Sequence, residues 1–98
     1  MSYLVFVTFD LKNATSQDYA NAYADLEKLS LKKVHKNSSG GNSVVPTTSV
    51  MGFFDGKSAS SVCTYIRDRV QQAFTARKFK SEIFVVVGGD WSWTGATT

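Results

Sequence analysis

Tyr3-Leu4-Val5-Phe6-Val7-Thr8-Phe9-Asp10 is an apolar run that ends on an acid. Apolar residues stand at both parities, Leu4 and Phe6 on one and Tyr3, Val5, Val7 and Phe9 on the other. That pattern marks a strand covered on both faces, hence central in a sheet. Its closing carboxylate then lies at the edge of the sheet.

The elements after it follow from local signals. Thr15-Ser16-Gln17-Asp18 has capping-box spacing, with an acid in the first turn. Tyr19, Ala22, Tyr23, Leu26 and Leu29 recur at helical spacing and predict a helix to about Ser30. Leu31 to Lys36 reads as a polar second strand, its lysines suited to an edge. Asn37-Ser38-Ser39-Gly40-Gly41-Asn42-Ser43 reads as a loop, and Pro46 as the opening of a third strand over Thr47 to Phe54. Asp55-Gly56 is a turn. Ser58 to Ser61 offer caps for a second helix to Ala76, with Val62, Ile66, Val70, Ala73 and Phe74 as its apolar stripe. Glu82 to Val87 is a fourth strand, apolar on both faces. Residues 88–98 form a C-terminal arm that carries both tryptophans.

The order βαββαβ with right-handed crossovers predicts an α+β, ferredoxin-like sandwich: a four-stranded antiparallel sheet with two helices on one face. Ninety-eight residues make one domain, 1–98. Helices on one face leave an apolar second face uncovered, and a second copy of the chain is the simplest cover, so a homodimer through that face or its edges is expected.

Composition narrows the setting. Hydrophobic residues at 43% and charged ones at 19% describe a globular chain, not a disordered one. No run approaches the ~20 apolar residues of a membrane span, so no membrane partner is expected. The N-terminus has no basic segment followed by a cleavable apolar stretch. The single cysteine, Cys63, excludes an internal disulfide and agrees with a cytoplasmic setting. A net charge of +3 permits an anionic partner without identifying one.

Few residues carry chemistry. Asp10 is the candidate catalytic and metal-binding group: a hard cation such as magnesium or manganese takes carboxylate oxygen and keeps most of its waters. The alternative is that Asp10 caps the loop Leu11-Lys12-Asn13-Ala14. Trp91 and Trp93 are candidates for stacking on nucleic-acid bases, or for clamping the domain or a partner subunit. Lys32, Lys33 and Lys36, with Lys28 and His35, form a basic group that contacts phosphate or is a solvated edge. His35 reads as an exposed polar residue, and Cys63 as a packed side chain. Arg67, Arg69 and Arg77 read as an exposed helix surface. Phosphate-loop, dinucleotide and zinc-ligand patterns are absent.

Phe6-Val7-Thr8-Phe9-Asp10-Leu11, with Tyr19-Ala20-Asn21-Ala22-Tyr23-Ala24-Asp25-Leu26, resembles the opening of the superfamily that joins the small CRISPR-associated spacer-acquisition nuclease and virulence-associated protein D, a toxin-like group. The chain is more similar to small uncharacterised bacterial relatives. These share the Asp-Leu opening, paired threonines in a middle strand (Thr47-Thr48), a Ser-Ala helix start and a closing Gly89-Asp90-Trp91. The resemblance implies a ferredoxin-like dimer with the strand-one Asp near the dimer axis, linked to divalent metal and to cleavage of RNA or DNA. Asp10 alone carries over to that role. The arginine-rich stretch that follows strand one in the CRISPR protein is replaced by Lys12-Asn13-Ala14-Thr15, and its characteristic second-strand segment is missing. Two functions are therefore expected: a dimeric, noncatalytic nucleic-acid-binding or assembly module or, alternatively, a metal-dependent endonuclease acting through Asp10.

Overall fold

The computed structural model describes residues 1–98. Its elements are β1 (Ser2–Leu11), α1 (Ser16–Lys28), β2 (Val34–Lys36), β3 (Asn42–Val44), β4 (Ser49–Asp55), α2 (Ala59–Ala76) and β5 (Ser81–Gly88). The architecture is α+β with antiparallel pairing. β1 is central in a three-stranded sheet of order β4-β1-β5, and β2 pairs with β3 in a separate hairpin.

β1 buries Tyr3, Val5, Val7, Phe9 and Leu11 under the helices. They share one core with Ala22 and Leu26 of α1 and with Val62, Ile66, Val70 and Phe74 of α2, so both helices cover the same face. Each fully buried side chain of this size contributes roughly 1.5–3 kcal/mol. Register places Leu4, Phe6, Thr8 and Asp10 on the opposite face, beside Ser49, Met51 and Phe53 of β4 and Glu82, Phe84 and Val86 of β5.

Both helices start on the caps expected. Thr15 accepts from the Asp18 N–H and Asp18 accepts from the Thr15 N–H; Ser58 and Ser61 do the same for α2. Both also end in the same way, without glycine. Ser30 (φ 65°) and Lys78 (φ 62°) take the left-handed conformation. Leu31 N–H then bonds Leu26 O at 3.0 Å, and Phe79 N–H bonds Phe74 O at 3.0 Å. Each turn drives an apolar side chain back under its helix, Leu31 onto Leu26 and Phe79 onto Phe74. This is why α1 stops at Lys28 instead of reaching Ser30.

The expected four-stranded sheet is not formed. Leu31 is fully buried, and only Lys32 continues along β4, exchanging two backbone bonds of 2.9 Å with Met51. The next residues turn away because Asn37 organises a tight reversal. Its side-chain oxygen accepts from Ser39 N–H and Gly41 N–H, and Gly40 takes φ 86°. The stretch expected as an open loop is thus the turn of a hairpin, with Val34 opposite Val44. Pro46 lies between that hairpin and β4, not at the start of a strand.

The carbonyl of Ser30 lies over Gly52 of β4, where a Cβ would come within 2.3 Å of it. Gly52→Ala is expected to destabilise the fold by about 1–3 kcal/mol, read as a lower denaturant midpoint. The helices are also joined by Arg77, whose Nε and Nη2 donate to Asp25 at 2.5 and 2.9 Å. Arg77 is exposed, as expected of the helix surface, and in addition makes this pairing. It holds the Asp25 carboxyl below its ordinary range, chiefly through the hydrogen bond itself. A depressed native pKa gives stabilisation that is complete above the unfolded carboxyl pKa and lost as pH falls through the native one. Asp25→Asn is therefore expected to unfold more readily than the parent at neutral pH, with the two curves converging in acid.

Candidate functional site

Asp10 stands exposed at the end of β1, on the face away from the helices. Its Oδ1 lies 3.2 Å from the hydroxyl of Tyr19. The capping box at Thr15 places Tyr19 in the first part of α1, and its hydroxyl also accepts from Leu11 N–H at 3.2 Å and reaches Leu11 O at 3.2 Å. Tyrosine has one proton to give, so it donates to either Asp10 or the Leu11 carbonyl. Asp10 thus contacts a helix side chain; it does not cap the loop after it.

Across the strand pair Asp10 faces Glu82, which is 3.4 Å from Lys12. The two acids border a shallow concavity of about 400 Å³ with Thr8, Thr48 and Phe84. Thr8 Oγ1 donates to Thr48 O at 3.2 Å, and Thr48 donates to Phe9 O, tying the floor of the concavity to β1. No three His, Cys, Asp or Glu side chains come together in a way that could hold a metal ion. Magnesium or manganese would meet two neighbouring carboxylates here, one facing a tyrosine hydroxyl and one facing a lysine. One subunit does not supply a fitted metal centre.

The basic and aromatic candidates lie elsewhere and apart from each other. Lys32 and Lys33 border a concavity of about 480 Å³ against Ala20, Tyr23 and Glu27 of α1. The Lys33 ammonium stands 4.6 Å from the centre of the Tyr23 ring, a cation–π contact. Lys36 is exposed at the turn end of the hairpin, opposite Asn42. Trp91 and Trp93 instead lie over the open face of the sheet. Trp91 packs on Phe53 with ring centres 5.6 Å apart, and Trp93 on His35 at 6.1 Å.

His35 is the residue that sequence reasoning misjudged. It is half-buried, its Nε2 is 2.8 Å from Lys32 O, and its ring stands between Phe53 and Trp93. The signal for it was the parity of Phe53, which puts an aromatic ring on the face that the tail must cross. Hairpin and arm together enclose a cavity of about 380 Å³, floored by Phe6 and Met51 and walled by Val44, Pro46 and Trp93. Residues 89–98 are held there by ring contacts and not by hydrogen bonds. They cover the β4 half of the open face. The β5 half stays bare, with Phe84 64% and Val86 49% exposed.

No protein-family model matches the chain, and no curated protein matches it in sequence. No helix is long and apolar enough to cross a membrane.

The two tryptophans of the arm are the only ones in the chain, so their fluorescence reports its docking. Phe53→Ala is expected to red-shift the emission and to leave far-ultraviolet circular dichroism unchanged. The cost in stability is on the order of 1 kcal/mol, the value of one aromatic pair, because Phe53 is already 43% exposed.

Proposed function

We propose that this chain is a noncatalytic homodimeric module of the nucleic-acid-associated type, which binds nucleic acid or assembles with another macromolecule in a cytoplasmic setting. We read the architecture as a ferredoxin-like sandwich whose fourth strand is reduced to the Lys32–Met51 bridge, the rest being refolded into the β2–β3 hairpin. That reading keeps the resemblance to the superfamily of the CRISPR-associated nuclease and virulence-associated protein D as a proposal about descent.

The observation that carries the functional reading is the contrast between two parts of the open face. At one end stand Asp10 with a tyrosine partner and Glu82 with a lysine partner, and no ligand cluster. Along β5 runs an exposed apolar strip of the kind that marks an interaction surface. Nucleic acid is the first partner class to test, because the chain carries +3 charge and Lys32, Lys33 and Lys36 lie on one short segment. The endonuclease alternative needs a second copy to complete the acidic centre, since one subunit offers only Asp10 and Glu82.

The test is retention of labelled single- and double-stranded RNA and DNA, with magnesium or manganese present. Binding at low salt is expected to weaken by roughly tenfold to a hundredfold between ~50 and ~200 mM salt if about three lysines meet phosphate. The strands are expected to remain intact, and Asp10→Asn to bind as the parent does. Cleavage by the parent that is abolished in Asp10→Asn would overturn the noncatalytic reading. Failure to retain any nucleic acid at low salt would move the partner to a protein.

A further inference from the structure

The two edges of the sheet are treated differently. On the outer edge of β4, the N–H and C=O of Met51 are both bonded to Lys32. β5 is the other edge, eight residues long, and no strand pairs with its outer side. Its pairing with β1 determines which groups point outward. Lys12 N–H bonds Lys80 O at 2.8 Å, and the register carries this pattern to Glu82, Phe84, Val86 and Gly88. Ser81, Ile83, Val85 and Val87 therefore direct their backbone groups away from the sheet. The one contact made to them is a long one, from Cys63 Sγ to Val85 O at 3.7 Å.

Exposed edges of this length are normally blunted by lysine, proline or a bulge. Glu-Ile-Phe-Val-Val-Val has none of these, and its only charge is Glu82 at one end. The arm does not shield it either, because after Gly88 the chain turns across the open face to place Trp91 on Phe53.

We propose that the outer edge of β5 pairs antiparallel with β5 of a second copy about a twofold axis at Val85, giving one continuous six-stranded sheet. The proposal rests on the homodimer reading above and names its surface. The strand is complementary to itself in this register. Val85 meets Val85, Ile83 meets Val87, and the exposed Phe84 meets the exposed Val86. Glu82 meets Gly88, so the only charge of the strand opposes the only position without a side chain and is not pressed against an apolar group. Shifting the axis to Phe84 sets Glu82 against Val86, which costs desolvation of the carboxylate without a partner. The ladder is about 27 Å long. With five apolar side chains from each copy it sits at the small end of specific interfaces, on the order of 1,200 Å² in total. A dimer that dissociates in the micromolar range is expected.

Sedimentation equilibrium of the full chain tests the pairing, and cysteine cross-linking tests the register. Phe84→Lys leaves the core untouched and is expected to weaken association at least tenfold with circular dichroism unchanged. In the antiparallel ladder, Phe84 and Val86 of the two copies form non-hydrogen-bonded pairs with Cα atoms about 4.5 Å apart, close enough for a disulfide. In a Cys63→Ala background, a mixture of Phe84→Cys and Val86→Cys chains is expected to cross-link, and either alone is not. A dimer that Phe84→Lys leaves intact would discard the edge while keeping the homodimer. A parent that stays monomeric at high micromolar concentration would discard both. Efficient cross-linking of Phe84→Cys with itself would discard the Val85 axis.

Discussion

β1 needs partners on four sides, and the remaining elements are arranged by that need. Its edges are taken by β4 and β5, and its buried face by α1 and α2. Its other face presents Leu4 and Phe6 and has no helix to cover it. The free energy of sheltering those side chains is comparable to that of any core position. The chain meets the demand in part with what is left over, a short hairpin and a tail, neither of which packs as a regular layer. The aromatic cluster of His35, Phe53, Trp91 and Trp93 is the consequence.

The loss of a fourth strand is part of the same arrangement. Residues 31–36 serve two uses. Leu31 turns into the core through the left-handed turn at Ser30, and Lys32 makes a single bridge to the β4 edge at Met51. A longer ladder on β4 would have left the open face without its hairpin. Local pairing of Val34 with Val44 around the Asn37 turn brings His35 over Phe53 instead. One sheet edge is paired at a single residue, Met51, and half of an apolar face is covered.

The sequence disclosed what rests on period and caps. Thr15 and Ser58 stand where their helices begin, and the stripe from Ala22 to Leu26 and from Val62 to Phe74 is the core. The two-faced apolarity of the first strand was equally plain. The second helix ends at Ala76 as its stripe indicated, but the end of α1 was not legible, because Ser30 adopts a conformation that glycine usually signals. The hairpin was hidden because Asn37 acts through side-chain bonds to residues two and four positions on, which no period records. The position of Asp10 was legible from the end of its strand. Its tyrosine partner was not, since Tyr19 reaches it from the next element. Lysines and tryptophans that look like one binding set in composition are separated in space, with Lys32 and Lys33 against α1 and the tryptophans over the sheet.

Edge pairing and chemistry at Asp10 constrain each other. Asp10 lies in the row of Glu82, at the opposite end of β5 from Gly88. An antiparallel pairing about Val85 sets Glu82 of one copy beside Gly88 of the other. The two Asp10 residues then differ by six positions along the strands, about 20 Å, and by three strand spacings across the sheet, about 14 Å. Roughly 25 Å separates the carboxylates in that dimer, several times the span that one or two shared hard cations bridge. A composite acidic centre requires a different dimer, packed face to face over the concavity at Thr8 and Phe84. The bare β5 edge and a two-copy active site are therefore competing uses of one surface. The unpaired backbone of Ile83, Val85 and Val87 favours the edge, because an open row of N–H and C=O groups is a template for another strand.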